Sequence, residues 1–379
     1  MTGKSLTMMA VGDLILEEQQ GEHFLSLAAP VLKSGDVVVG QGEFVFTSRG
    51  VSTFAEMFSP APACPPGNMG ALASAGFNVI TLAGNHVWDM GTPGIQDTIS
   101  GLRNYGIAVC GAGMNIGEAR RPAIIQCDGT RFGFLSYNCV GPIGTWATQT
   151  KPGCAYVHII AHYEMTGANP GGPPDVYTFA EPRSLKAMAD DIQKLRPFCD
   201  ILVVSFHKGI TGPLISPDIA MYDQQVSYAA IDAGADLILG HHAHMLKGIE
   251  QYKGKVIFHG LGHFIRAISL PTERQRKAQS FFNPYSSISA PKLSGGYNFQ
   301  TDAARYRTII AKCVIDDKNI SSVRYLPCLI NEQRQPEVLQ NDERGQQIFD
   351  FMDTLTREAG LNTRFDWEGD EVLILTDQI

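Results

Sequence analysis

Five short apolar runs in this chain each end on a polar side chain able to hold a metal ion, and that recurrence constrains the fold more than any other feature. The first run, Leu6 to Val11, ends in Gly12-Asp13, and the second ends in Gly40-Gln41-Gly42-Glu43. Val79-Ile80-Thr81-Leu82 delivers Ala83-Gly84-Asn85-His86, with Asp89 and Gly91 following. Ile201 to Ser205 delivers His207, and Leu237-Ile238-Leu239 delivers Gly240-His241-His242-Ala243-His244. Ligands of α/β sheets bind beyond the carboxyl ends of the strands. Polar groups delivered by five separate strands therefore imply one shared site.

The wider pattern agrees. Runs at 5–11, 36–40, 78–82, 107–110, 122–127, 131–137, 200–205, 236–240 and 255–259 are apolar and stopped by Gly, Asp or Asn, as buried strands are. Helices are expected near 68–76, 93–104, 182–196 and 218–233. The third opens with Pro182 and carries Leu185, Met188, Ala189, Ile192 and Leu195 as an apolar stripe. Such alternation predicts an α/β protein with sheet packed between helices. Residues 141–181, rich in Gly and Pro, read as a long loop of the kind that is usually functional, and 266–304 as a second surface excursion. A strand pair at 307–315 and 319–326 and a helix over 342–358, capped by Gly360, follow. The expected organisation is one domain over 1–335 holding both insertions, with a C-terminal helical extension, 336–379, packed on it.

Composition narrows the partners. A hydrophobic fraction of 44% with 18% charged residues excludes a disordered chain, and a net charge of −8 without a basic cluster argues against nucleic acid. No apolar run approaches the roughly 20 residues of a membrane helix, and Leu6 to Val11 is too short for a signal sequence. None of the eight cysteines forms a C-x-x-C pair, so free thiols in the cytoplasm are expected. The expected partner is a small-molecule or peptide substrate, with no membrane; a homo-oligomer is left open.

The residue types suit a dinuclear metal centre. Anionic oxygens from Asp13 and Glu43 would offset two divalent charges, while imidazole and amide donors leave the choice among Mn, Zn, Fe and Mg open. His242 and His244 stand two apart, so on an extended segment they share a face and both reach a metal pair about 4 Å wide.

The series G-D, x-x-E, G-N-H-x-x-D-x-G, H and H-x-H resembles the calcineurin-like metallophosphoesterases, and more closely their CapA, or poly-γ-glutamate capsule-synthesis, branch. That branch shows N-x-E where this chain has Gln41-Gly42-Glu43, and H-P-H where it has His242-Ala243-His244. Its S-L-G-N-F resembles Gly260-Leu261-Gly262-His263-Phe264, and the likeness spans residues 9 to 264 in order. The resemblance implies a four-layer αββα sandwich with two divalent metal ions. It places Asp13 and His244 on metal one, Glu43 as the bridge, and Asn85, His207 and His242 on metal two. It makes His86 the general acid, oriented by Asp89. The superfamily's D-x-H has Ile at position 15 here, so metal one has one imidazole fewer.

Several residues depart from the branch. Gln41 stands where Asn is usual, Lys208 follows a ligand histidine where an aromatic residue is usual, and His259 and His263 replace Tyr and Asn. These four, with Trp146 of the long loop, are candidates for substrate contact; His158, His162 and Tyr163 could join them. The competing reading gives Lys208 to solvent and makes His259 and His263 hydrogen-bonding neighbours of the ligands. His241 is expected to face away from the ligand pair. The leading expectation for function is hydrolysis of a phosphoester, or a related ester or amide, by a metal-held hydroxide with His86 protonating the leaving group. Amide or peptide chemistry on the same metals, epimerisation included, is the second. A non-catalytic accessory role in capsule polymer synthesis is the third.

Overall fold

The computed structural model describes residues 5–51, 63–164, 175–210, 218–268 and 302–375. Its first half sets out one side of a sandwich. β1 (Leu6–Leu16) is followed by the short helices α1 (Gly21–Leu25) and α2 (Ala29–Leu32), then β2 (Val37–Gly42), α3 (Asn68–Ala75), β3 (Val79–Thr81), α4 (Gly91–Asn104) and β4 (Ala108–Cys110). β1, β2, β3 and β4 lie side by side and parallel. After β5 (Ala112–Gly113), α5 (Ile116–Ala119), β6 (Ala123–Cys127) and β7 (Thr130–Asn138), the chain forms β8 (Gly153–Cys154), β9 (Ile159–Glu164) and β10 (Asp175–Ala180). Then α6 (Pro182–Leu195), β11 (Ile201–Lys208), α7 (Met221–Asp232), β12 (Leu237–His242), β13 (Leu246–Tyr252) and β14 (Lys255–Leu261) complete the other side. The second sheet runs β13-β14-β12-β11-β7-β6. β15 (His263–Ala267) crosses back to pair parallel with β1, β16 (Arg307–Asp316) pairs antiparallel with β1, and β17 (Asn319–Ile330) pairs antiparallel with β16.

Strand periodicity explains the layering. Successive side chains of a strand face opposite sides. Met8 and Ala10 of β1 therefore enter the core between the sheets with Val39, Phe134, Val203 and Leu239, while Met9 and Val11 face Phe24, Leu32 and Leu72 on the outer helices. In β11, Ile201 and Val203 face inward, and Leu202 and Val204 pack on Met188 and Ile192 of α6 and Val226 of α7. Strands buried on both faces read as unbroken apolar runs, which is why they were visible in the sequence. The result is α/β, with helix, sheet, sheet and helix as its four layers.

α6 begins as its sequence requires. Glu181 accepts a 2.7 Å hydrogen bond from the Ser184 amide ahead of Pro182, and Met188, Ile192 and Leu195 are the buried stripe. The C-terminal helix Glu343–Glu358 starts on Asp342, whose carboxylate accepts from the amides of Arg344 and Gly345 at 3.0 Å each. Its Ile348, Phe351, Met352 and Leu355 enter the core between the sheets.

Three expectations change. The 141–181 segment is not a plain loop: β9 and β10 pair antiparallel, and β8 pairs with β5. The C-terminal region is not only helical, because β18 (Pro336–Val338), β19 (Arg364–Glu368) and β20 (Glu371–Leu375) join the first sheet. β13 and β15 lie where no strand was expected, since Lys247, Glu250 and His263 interrupt their apolar pattern. Most of the 266–304 excursion, and the Pro-Gly run at 165–174, lie outside the described residues.

Candidate metal centre

Asp13 sits on β1 where that strand meets β15, its backbone amide donating to the Gly262 carbonyl at 2.9 Å. Glu43 follows β2 directly, and Asn85 and His86 follow β3. His207 is near the end of β11, and His242 ends β12. Both sheets thus present their carboxyl edges to one point, where Asp13, Glu43 and His207 are almost fully buried.

The polar atoms fall into two overlapping groups. Asp13 Oδ2 lies 2.9 Å from His244 Nδ1, and Glu43 Oε1 lies 3.4 Å from His244 Nε2. On the other side, His207 Nε2 is 2.7 Å from Asn85 Oδ1, 3.1 Å from His242 Nδ1 and 3.7 Å from Glu43 Oε2. Glu43 therefore turns one oxygen to each group, the placement a bridging carboxylate needs. Two triads, Asp13–Glu43–His207 and Asp13–His244–His263, each hold candidate donor atoms within 4.8 Å of one another. All six residues expected as ligands are brought together by this geometry.

The route by which His242 and His244 arrive differs from expectation. Strand alternation does not align them; β12 ends at His242, and both histidines take positive φ, 83° and 56°. Such backbone costs an L residue on the order of 1–3 kcal/mol. The strain is concentrated on the two imidazoles that close the site.

The electrostatics follow from burial. Burial, then the charges of Asp13 and Asp89, push the Glu43 carboxyl well above its ordinary range. Burial acts upward on Asp13 as well, but His241 and His244 outweigh it and hold that carboxyl well below. Burial holds His207 and His263 well below the usual imidazole value and takes His242 down to about 3, so these rings are neutral donors. Both oxygens of Glu43, Nδ1 of His207 and Nδ1 of His263 are buried without a hydrogen-bond partner. A buried carboxylate left so is costly unless a metal or a donor meets it. The donor set of carboxylate, amide and imidazole is compatible with a metal site.

His86 lies at the rim. Its side chain is 14% exposed, its Nδ1 pairs with Asp89 Oδ2 at 2.7 Å, and its Nε2 is 3.9 Å from Glu43 Oε1. Phe44 packs edge-on against the ring at 4.7 Å. Asp89 and Phe44 thus fix the orientation of an imidazole that still reaches solvent.

Three candidates for substrate contact are placed elsewhere. Lys208 is fully buried and follows His207 onto the opposite face of β11, where Nζ meets the Asp223 carbonyl at 3.0 Å, Ser227 Oγ at 2.9 Å and His259 Nδ1 at 3.0 Å. It reaches neither substrate nor solvent. His259 bridges from Lys208 to Glu250 Oε2 at 2.8 Å and is used up by that chain. Gln41 accepts from Thr81 at 2.6 Å and donates to the Ala83 carbonyl at 3.2 Å, bracing the turn that carries Asn85. Trp146 stacks on Tyr156 at 4.2 Å and tilts against His158, while Lys151 sits 3.9 Å over Trp88. His162 and Tyr163 are exposed on β9. His241 is nearer than expected, with Nδ1 3.3 Å from Asp13 Oδ1.

The family of bacterial capsule synthesis proteins denoted PGA_cap matches residues 5–267, which includes every residue of this cluster. The chain belongs to that family. It is 26% identical over 271 residues to the capsule biosynthesis protein CapA of Bacillus anthracis, covering 69% of this chain and 60% of that one. It is also 26% identical over 269 residues to the PGA biosynthesis protein CapA of Bacillus subtilis, covering 69% and 63%. A probable polyglutamine synthesis accessory protein of Mycobacterium tuberculosis is 30% identical over 205 residues, 53% of this chain and 48% of that one. The chain thus spans about three fifths of the length of the two CapA relatives. Among the described residues, no helix is long and apolar enough to cross a membrane.

Proposed function

We propose that this PGA_cap family member is a metal-dependent hydrolase with a dinuclear centre, cleaving a phosphoester or a related ester or amide bond. The observation that carries the reading is the His86–Asp89 pair, in which buried Asp89 orients at 2.7 Å a partly exposed imidazole whose Nε2 lies 3.9 Å from the buried Glu43 carboxylate. Divalent ions held by Asp13, Glu43, Asn85, His207, His242 and His244 would polarise the scissile group and supply a water of lowered pKa. His86 Nε2 faces the centre and gives its proton to the leaving group. Asp89 holds Nδ1 at 2.7 Å, which fixes the orientation of the ring. Burial of the carboxylates keeps competing water away from the reacting atoms.

The names of the relatives support a second reading, in which the same residues act on an amide of a polyglutamate-like polymer. An accessory role without catalysis is the remaining alternative. We place the protein in the cytoplasm, a reading its eight free thiols support.

The test is a paired assay of metal-loaded protein on an aryl phosphate and on a γ-glutamyl anilide. Hydrolysis of either, slowed about 10²–10⁴-fold in His86→Ala at unchanged metal content, supports the hydrolase reading and names the bond. Turnover of neither, with Mn, Zn, Fe and Mg all tried, removes it and leaves the accessory role.

A further inference from the structure

Position 15, where the superfamily carries the second residue of its first metal pair, is an isoleucine in the core under the outer helices. β1 therefore cannot supply a second donor beyond Asp13. The strand beside it can. β15 runs parallel to β1 with His263 in register with Asp13, and the register shifts immediately after that pair. Gly262, at φ 74°, carries the carbonyl that accepts from the Asp13 amide, so one backbone contact positions both side chains.

His263 has few other uses open to it. It is 3% exposed, too buried to meet a substrate directly. Its ring stacks on His244 at 4.3 Å, nearly parallel at 14°, and its Nδ1 is buried with no hydrogen-bond partner. A hydrogen-bonding neighbour of the ligands would have spent that nitrogen on a partner. Candidate donor atoms of Asp13, His244 and His263 lie within 4.8 Å of one another.

We propose that His263 is a direct ligand of the Asp13–His244 metal position, supplying from β15 the imidazole that β1 lacks. This rests on reading the cluster as a metal centre. The consequence is an Asp–His–His set bridged by Glu43, softer than the one-imidazole set the sequence alone implies and suited to Zn or Fe over Mg.

The test is a Co²⁺ titration of metal-free protein followed by visible absorption, with wild type beside His263→Phe. Phenylalanine keeps a flat ring against His244 and removes the nitrogen. Losing a neighbour that merely orients a ligand weakens metal binding about 10–100-fold, so losing a ligand should weaken one of the two equivalents at least that much and change its d–d bands. Two equivalents bound by His263→Phe with wild-type affinity and spectrum would overturn the assignment while leaving the centre standing. No binding by wild type would overturn the centre itself, and this inference with it. Should His263→Phe fail to fold by circular dichroism, X-ray absorption on His207→Ala loaded with one Co²⁺ decides. Two imidazoles at that ion support the proposal, and one refutes it.

Discussion

Gly12 is the residue on which the crossing of β1 and β15 depends, and Gly12→Ala should damage both the fold and the site. An added Cβ would stand 2.0 Å from the Gly262 oxygen, 2.9 Å from its carbonyl carbon and 3.0 Å from the Leu261 oxygen. All three are backbone atoms, so no side chain can swing away. Ordinary contact begins at 3.4 Å, and the strands must part by about 1.4 Å to restore it. Overpacking of this kind costs about 1–3 kcal/mol. Parting the strands also breaks the hydrogen bond from Asp13 to Gly262, worth about 1 kcal/mol. A loss of about 2–4 kcal/mol, against an unfolding entropy of roughly 2.1 cal/mol/K per residue over 379 residues, lowers the melting temperature by about 3–5 °C. The shift also exceeds the roughly 0.5 Å tolerance of a preorganised site, so metal affinity should fall at least about tenfold. Calorimetry and metal titration read the two effects. Gly67→Ala is the control, since a Cβ there meets nothing within 4 Å. A Gly12→Ala protein matching wild type in both readouts would refute the claim that close strand contact builds the site.

Other consequences follow from the buried polar groups. Lys208→Met removes the donor to His259 Nδ1 and Ser227 Oγ, one of the two donors to the Asp223 carbonyl, and the buried cation facing the Asp223 carboxylate, which should cost about 3–5 kcal/mol in denaturant unfolding; an unchanged midpoint would show that the chain is not needed. Burial, with the charge of Lys208, holds His259 at about 3, below the roughly 6.5 of an unfolded histidine. Below pH 6.5 the unfolded chain therefore binds a proton that the folded chain refuses, and stability falls as pH drops towards 3. The slope of stability against pH in that window should shrink in His259→Gln, and an identical slope would remove this histidine from the account.

The residues that the structure gathers at the sheet edges were legible because they follow runs such as Val79–Leu82 or Ile201–Ser205, buried on both faces, so that the first polar residue marks the edge. Lys208 carried a readable signal as well. Alternation along β11 sends it opposite to His207, and adjacency in sequence misled. His263 could not be placed, since its meaning comes from pairing with Asp13, a contact 250 positions away in the chain. β13 hid behind buried Lys247 and Glu250, whose partners Asp218 and His259 lie on other elements. β9 and β10 present exposed Tyr163, Val176, Tyr177 and Phe179, and give no alternation between a wet and a dry face. The left-handed turns at His242 and His244 carry no glycine to announce them.

The measurement that bears most directly on the account is elemental analysis of the purified protein beside its Asp13→Ala/His242→Ala double variant. The account predicts about two divalent metal equivalents in wild type and their loss in the variant. Near-zero metal in both, after incubation with Mn, Zn and Fe, would contradict it.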